Sequence, residues 1–291
     1  MPLKRLIRSG RGAWAVLRDP PWAPPGHFYS PISNAADRRR AIQRTHATEA
    51  AGVDLRADDQ RCLARELAPM WRDIPGQPRS DWRYRPDNIL FPLSDAVVYA
   101  SMLRHIRPAR VVEVGSGFTS VLALDVSERW LDGQVELTCI EPYPKRLTTL
   151  LRAGDDSRLR LVREQLQSVP PDVFSQLSSG DVLFIDSTHV ARPGSDVIRL
   201  LLDVLPRLPA GVHVHVHDVF WPFEYPAEWH EEARGFNEIY LLHAFLAFNS
   251  QWRVELFADW VWMDCADLVA EYRPDARQPR PSSLWLSRAG P

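Results

Sequence analysis

Cysteine and long apolar runs are scarce in this chain of 291 residues. Its three cysteines, Cys62, Cys139 and Cys265, lie far apart and form no CxxC pair, which argues against a disulfide framework and a thiolate zinc site. Near the start, the longest apolar run is AWAVL at 13–17, too short for a secretion signal or a membrane-spanning helix. We therefore expect a cytoplasmic protein without a membrane span.

Lysine is also rare, since it occurs only at Lys4 and Lys145. The other basic residues are arginines, a usage typical of a GC-rich bacterial genome. The formal net charge is −2, and no basic run is interleaved with aromatic residues, so nucleic acid is not an expected partner. With 45% hydrophobic and 25% charged residues, the chain has the composition of a globular protein with a substantial core.

The first third of the chain differs in pattern from the rest. Residues 19–34 are rich in proline and aromatics and predict an extended segment. Helical spacing follows at 35–50 and 58–72, and a further helix is predicted to begin near Ser94 as its N-cap. The pattern predicts two regions, an extended and helical segment over 1–93 that serves as a cap or dimerisation element, and a main domain over 94–291.

From residue 110 onward, predicted strands and helices alternate. Such alternation is typical of an α/β fold with a doubly wound parallel sheet. The predicted strands are 110–114, 135–140, 159–163, 181–185, 212–217, 253–257 and 283–287. The predicted helices are 119–130, 143–152, 194–206 and 231–247.

A glycine turn and an acid one strand further along indicate a nucleoside-binding site. Residues 110–118 read RVVEVGSGF, and VELTCIEP at 135–142 ends a second strand at Glu141. Gly115 and Gly117 let the backbone approach a ligand closely, and the Glu141 carboxylate is placed to bind both ribose hydroxyls. The ligand is therefore predicted to contain an adenosine.

Two adenosine cofactors compete for this turn. A dinucleotide site needs a third glycine, which is missing here, and the charge of Glu113 would repel a pyrophosphate. An acid at this position suits a cationic ligand such as S-adenosylmethionine (SAM). The turn resembles the ExGxG motif of the class I SAM-dependent methyltransferases, matched by Glu113, Gly115 and Gly117. An NAD-dependent oxidoreductase remains a rival that would use the same Glu141.

The resemblance implies a set of cofactor contacts. The turn residues are expected to hold the methionine part, Glu141 the ribose and Gln165 the adenine, while Phe118 and Tyr143 pack on the cofactor and Asn88 closes over it. The full predicted set is Glu113, Gly115, Ser116, Gly117, Phe118, Thr119, Glu141, Pro142, Tyr143, Gln165, Asp186 and Asn88.

Two later strand ends carry acid and histidine pairs. FIDSTH at 184–189 places Asp186 and His189 after the fourth strand, and HVHVHDVF at 213–220 places His217 and Asp218 after the fifth. Because parallel strands end at one edge of the sheet, these side chains should meet in one crevice. Such a group can bind a divalent cation, and His189, with an ordinary pKa near ~6.5, is the natural base for a hydroxyl acceptor.

These pairs resemble the metal-dependent O-methyltransferases that act on sugars of macrolide-type natural products. The resemblance implies that Asp186 and Asp218 are metal ligands and catalytic residues with His189 as base. His217 departs from the family pattern, and as a third ligand it would favour Mn²⁺, Fe²⁺, Co²⁺ or Zn²⁺ over Mg²⁺. His213 and His215 share its strand face and are better interpreted as core histidines.

A resemblance to a poorly characterised bacterial group of methyltransferase-like proteins runs from Gly26 to Leu286. It implies a seven-stranded Rossmann-like sheet whose last strand is antiparallel. After Asp218, the aromatic run from Trp221 to Trp229 either walls an acceptor pocket or packs on the N-terminal helices.

The sequence thus predicts a SAM-dependent methyltransferase acting on a small-molecule hydroxyl, such as a sugar or natural product. A divalent metal (Mn, Fe, Zn or Mg) is an optional second cofactor, and homo-oligomers are compatible with the pattern. The alternatives are a non-catalytic SAM-binding or metal-binding module of a biosynthetic assembly and a redox iron site on the same fold.

Overall fold

A computed structural model describes residues 20–44 and 47–290 of the chain. These residues fall into two compact units, one formed by 20–44 with 225–235 and the other by 47–224 with 236–290. The predicted division at residues 93 and 94 stays a prediction, and its residues 1–19 lie outside the described residues. Every helix within the described ranges is too short or too polar to cross a bilayer.

The strands of the described residues are β1 (Arg110–Val114), β2 (Glu136–Ile140), β3 (Leu159–Val162), β4 (Val182–Ile185), β5 (His213–His217), β6 (Trp252–Phe257) and β7 (Ser283–Arg288). The helices of the same residues are α1 (Ala35–Arg44), α2 (Ala57–Trp71), α3 (Leu93–Ile106), α4 (Phe118–Trp130), α5 (Lys145–Leu150), α6 (Asp172–Ser175), α7 (Asp196–Arg199), α8 (Ala227–Glu231), α9 (Glu238–Leu246), α10 (Ala258–Asp264) and α11 (Ala266–Tyr272).

Within the described part of the chain, seven strands form one sheet in the order β3-β2-β1-β4-β5-β7-β6. The first five strands are parallel, and β7 runs antiparallel to both β5 and β6. The central strand β4 is a continuous apolar run, VLFI, which is typical of a parallel strand covered by helices on both faces of the sheet. The predicted fold class and the reversed final strand are confirmed.

Three helix predictions need correction. The helix predicted at 231–247 begins at Glu238, because α8 ends at Glu231 and Ala233 takes a left-handed conformation with φ +56°. Ser94 is not an N-cap: α3 begins at Leu93 after Pro92, whose φ of −66° suits a helix start. The helix predicted at 35–50 ends at Arg44.

A histidine and aromatic stack fills the core beneath the end of β5. His215 is fully buried, and its ring stacks on Phe184 with the centroids 4.2 Å apart. Burial, together with the nearby His217 charge, lowers the pKa of His215 well below its usual value, so the ring is neutral. His213, at the opposite end of β5, pairs with Glu255 at 2.8 Å. The structure thus places His215 in the core.

Glu113 is a buried acid at the end of β1. Its carboxylate accepts hydrogen bonds from the Thr119 hydroxyl and, at 3.5 Å, from the Cys139 thiol. Burial raises the pKa of Glu113 from 4.5 to about 7, and hydrogen bonds from Ser120, Thr119 and Cys139 offset part of that effect. The side chain braces the glycine turn from inside the core and is fully shielded from solvent.

We expect Glu113→Gln to flatten the pH dependence of stability. Because the folded-state pKa is raised, stability is full below the unfolded value of 4.5 and is lost as pH rises through about 7. Between pH 5 and 8, the wild type should lose about 2–3 kcal/mol of unfolding free energy that the variant keeps. Urea denaturation across this range measures the difference.

Glu271→Gln, at an exposed position of α11, is the matched control. Its free energy of unfolding should depend on pH as that of the wild type does. If the free energy of unfolding depends on pH in the same way for the wild type and for Glu113→Gln, the pKa of Glu113 is the same in the folded and unfolded states.

Candidate active site

The glycine turn after β1 lies directly against the end of β4. Gly115 has φ +80°, and a Cβ at this position would lie 2.2 Å from the backbone oxygen of Asp186. The Asp186 amide donates to the Val114 carbonyl at 2.8 Å, which fixes the close approach. A side chain at Gly115 would therefore force β1 and β4 apart where both strands end.

Glu141, at the end of β2, is held by the same turn. Its carboxylate accepts backbone N–H groups from Ser116 at 3.2 Å and from Tyr143 at 2.7 Å. The Gly117 amide donates to the Ser120 hydroxyl at 3.0 Å, so the turn closes onto the start of α4. The Ser116 hydroxyl oxygen is buried and has no hydrogen-bond partner among the described residues, which leaves it available for a ligand.

A cavity of about 620 Å³ opens beside this turn. Its lining includes four of the predicted cofactor residues and two cationic side chains of α5. The full lining is Ser116, Phe118, Glu141, Tyr143, Lys145, Arg146, Thr149 and Leu150. A buried hydroxyl, a preoriented carboxylate and an aromatic ring fit the polar and flat parts of an adenosine cofactor.

The other predicted cofactor residues do not line this cavity. Gly115 and Gly117 form the turn, and Pro142 follows Glu141, whereas Glu113 and Thr119 lie behind the turn in the core. Gln165 is exposed after β3 and is not among the residues that line the cavity. The Asn88 amide is engaged within its own loop, where it caps the Leu90 and Phe91 amides.

The second group of predicted residues meets around His189. The Nε2 atom lies 3.3 Å from Asp186 Oδ1 and 3.3 Å from Asp218 Oδ2. The His189 side chain is 7% exposed, while that of Asp186 is 41% exposed. The imidazole therefore lies at the bottom of the crevice, and the Asp186 carboxylate lies at its open side.

A third carboxylate, Glu238, binds the opposite edge of the ring. Its Oε2 lies 2.8 Å from His189 Nδ1 and also accepts the Ser187 hydroxyl at 2.9 Å. The amides of Asn237, the residue before α9, and of Glu238, its first residue, donate to the His189 carbonyl oxygen at 2.9 and 3.2 Å. These contacts hold His189 at φ +57°, a backbone region that bulky residues rarely adopt.

Sequence reasoning did not find Glu238. It stands 49 residues from His189, inside a predicted helix without an adjacent motif. A weak signal was available, since Asn and Glu together often mark the first turn of a helix.

The three carboxylates control the charge of the imidazole. Burial alone disfavours the protonated ring, but hydrogen bonds to Asp186 and Glu238 and the charge of Asp218 outweigh it. The pKa of His189 therefore lies well above its usual value. This arrangement stabilises an imidazolium ion strongly once the ring has accepted a proton.

His217 lies beside this group in a more enclosed position. Its Nε2 is 3.6 Å from Asp218 Oδ1, and the side chain is buried. Burial disfavours its charged form, but the carboxylates of Asp218 and Asp95 raise the pKa of His217 overall. Asp218 also accepts the Ser282 hydroxyl at 3.3 Å, which anchors the carboxylate to the chain before β7.

The donor set fits a divalent cation. One oxygen each from Asp186 and Asp218 and one nitrogen of His189 lie within 4.8 Å of one another. This trio contains His189 where the sequence suggested His217 as the third ligand. The role of His217 as a ligand stays a prediction, since its contact with Asp218 is longer.

The aromatic segment after Asp218 takes a structural position in the larger unit. Phe223 is fully buried, with its ring centroid 5.2 Å from that of Phe257 and 4.9 Å from that of His243. Trp221 packs edge-on against Phe257 as well, at 5.4 Å. These two rings therefore belong to the core around β6.

Comparison with known proteins finds a family similar to the stretch that carries most of this site. Residues 112–219 match the protein family described as "Methyltransferase domain". A protein of Archaeoglobus fulgidus, described as uncharacterized, is 36% identical over 130 residues, which cover 42% of this chain and 58% of that relative. The match thus spans less than two thirds of the relative's length.

The solved structures are less similar to this chain in sequence than that relative is. The SAH-bound methyltransferase PaMTH1 of Podospora anserina has a TM-score of 0.46 and 16% identity, covering 88% of this chain and 96% of its own. The O-methyltransferase TomG of Streptomyces achromogenes, in complex with SAM, has a TM-score of 0.42 and 14% identity, covering 87% and 99%. Because both TM-scores are below 0.5, neither likeness bears on the substrate of this chain.

The likenesses to a bacterial subgroup and to macrolide-sugar enzymes stay predictions. The family match covers residues 112–219 rather than the whole chain, and the strand order with its reversed β7 agrees with the predicted fold class. Asp186, His189 and Asp218 thus lie in a part of the chain that matches a methyltransferase domain.

Proposed function

We propose that this protein transfers a methyl group from SAM to a hydroxyl group of a small molecule, with His189 as the general base. The observation that supports this most directly is the position of Asp186. Its backbone packs on the Gly115 turn, and its carboxylate contacts His189 Nε2 at 3.3 Å. The base and the cofactor turn are thus joined through one residue.

The cofactor residues fit SAM in the cavity beside the turn. When bound, SAM supplies an electrophilic methyl group for in-line displacement. Glu141 is oriented by two backbone amides and presents its remaining lone pairs to the ribose hydroxyls, and Ser116 offers an unused hydroxyl. Glu113 supports the turn from behind and acts on the ligand through the backbone.

The base suits a hydroxyl acceptor, because a neutral amine carries a free lone pair whereas a hydroxyl must lose its proton during the transfer. Because its raised pKa keeps the His189 ring largely protonated at neutral pH, the proposed step starts from the neutral fraction of the ring, whose Nε2 accepts that proton. Glu238 keeps Nδ1 protonated and the ring oriented, while Asp186 and Asp218 stabilise the imidazolium that forms.

A metal-assisted version of the transfer is the second candidate, favoured by the closeness of the Asp186, His189 and Asp218 donor atoms. A divalent ion there would lower the pKa of an acceptor hydroxyl. His189 would then be a ligand rather than the base. Glu238 would keep its place, since a carboxylate commonly orients a metal-binding imidazole through the other ring nitrogen.

In calorimetry, we expect the purified protein to bind SAM and S-adenosylhomocysteine and to show no binding of NAD⁺. Glu141→Ala should weaken S-adenosylhomocysteine binding about 10- to 100-fold, because charged hydrogen bonds to the ribose are lost. Glu136→Ala, at the exposed start of β2, should bind like the wild type. Failure of both sulfur ligands to bind would refute the assignment, and binding of NAD⁺ alone would favour the dehydrogenase rival.

We expect His189→Ala to lower kcat about 10²- to 10⁴-fold on any hydroxyl acceptor, with cofactor affinity unchanged. Glu238→Gln should lower kcat about tenfold with little change in KM, because the ring loses its orienting carboxylate. Transfer of a labelled methyl group to a panel of sugars and natural-product alcohols measures both.

The His213 and Glu255 pair, also 2.8 Å apart, is the matched control for this experiment. Glu255→Gln should leave kcat unchanged, since the pair lies at the other end of β5. Full activity of His189→Ala would eliminate His189 as the base.

The metal-assisted candidate is tested by titrating chelator-treated protein with Mn²⁺, Zn²⁺ or, without oxygen, Fe²⁺. We expect one site, and we expect Asp186→Asn and Asp218→Asn each to weaken it by at least about tenfold. A loss in His189→Ala with no change in His217→Ala would assign the imidazole ligand to His189. Absence of binding for all three ions would leave the metal-free base mechanism.

A further inference from the structure

Basic residues are concentrated in helix α1 of the smaller unit. Within Ala35–Arg44, four arginines stand against one acid, Asp37, a net charge of +3. The larger unit, 47–224 with 236–290, contains 25 basic and 32 acidic residues, a net charge of −7. A helix with the charge of α1 is attracted to an anionic surface.

The same unit exposes large apolar side chains. Trp22, Phe28, Tyr29 and Ile32 are between 57 and 85% exposed. The rings of Trp22 and Tyr29 lie 5.2 Å apart, and those of Phe28 and Tyr29 lie 4.3 Å apart. The four residues form what we call the aromatic patch. Soluble proteins rarely leave several large apolar side chains exposed together without a binding role.

The loop that carries the aromatic patch is closed by hydrogen bonds. The Gly26 amide donates to the Ile32 carbonyl at 3.0 Å, and the Ser30 amide donates to the His27 carbonyl at 2.8 Å. The Asn34 side-chain amide donates to the Gly26 carbonyl at 3.2 Å. The rings are thus presented outward by a folded loop.

A basic helix follows this loop without a linker. The Asn34 side-chain oxygen accepts the Ala36 and Asp37 amides and caps α1. The helix carries Arg38, Arg39 and Arg40 at its centre. An aromatic loop next to a basic helix combines the two signals that hold proteins at membrane surfaces, apolar insertion and attraction to anionic lipid.

We propose that the aromatic patch and α1 bind the surface of an anionic lipid bilayer, with the rings at the level of the headgroups. Trp and Tyr favour this interface because their rings are apolar and their N–H or O–H groups are polar. The arginines of α1 add electrostatic attraction that depends on lipid charge and on salt. The proposal does not depend on the methyltransferase assignment.

The test is co-sedimentation of the full chain with vesicles. One set contains phosphatidylcholine alone, and the other contains phosphatidylcholine with phosphatidylglycerol. We expect binding to the anionic vesicles, at least about tenfold weaker binding to neutral ones, and release by added salt. The double variant Trp22→Ala/Phe28→Ala should lose at least about tenfold in affinity for the anionic vesicles.

Phe248→Ala is the matched control, because Phe248 is 92% exposed on the acidic unit. It should bind the anionic vesicles like the wild type. Thermal unfolding of each variant checks that the fold is retained.

Three results would overturn the proposal. The first is that the protein binds neither kind of vesicle. The second is that the double variant and Phe248→Ala lose the same amount of affinity for the anionic vesicles. The third is that the double variant binds the anionic vesicles like the wild type. If the double variant keeps vesicle binding but loses S-adenosylhomocysteine affinity, the aromatic patch serves the cofactor instead.

Discussion

The contact between Gly115 and the Asp186 backbone is the constraint on which the site depends. With a Cβ at residue 115 only 2.2 Å from the Asp186 oxygen, the turn after β1 can lie against the end of β4 only as glycine. The neighbouring hydrogen bond from Asp186 to Val114 keeps the strand ends in register. The ligand cavity and the acidic crevice are adjacent for this reason.

The crevice shows how a buried imidazole can be kept basic. Burial alone would favour a neutral ring, as it does for His215, two residues before the end of β5. Three carboxylates around His189 reverse that preference. The left-handed backbone of His189 is unfavourable in isolation, and the amides of Asn237 and Glu238 hold it in place.

Prediction from sequence succeeded where the signal is local. The strands follow buried apolar runs, and Gly115, Glu141, Asp186 and Asp218 stand immediately after strand ends, so topology places them at one edge. Prediction was wrong for the start of α9, because an apolar period does not reveal the break at Ala233. The structure encloses Glu113 in the core, and its interaction with a cationic ligand stays a prediction.

Local chemistry of the chain was enough to indicate the parallel sheet, the glycine turn and which strand ends carry acids. Folding alone decided that Glu238 reaches His189 and that Asp186 links the turn to the base. It also decided that His189, rather than His217, lies between the two aspartates. Strand patterns depend on neighbouring residues, whereas these contacts join residues up to 71 positions apart, and their distances exist only in the packed chain.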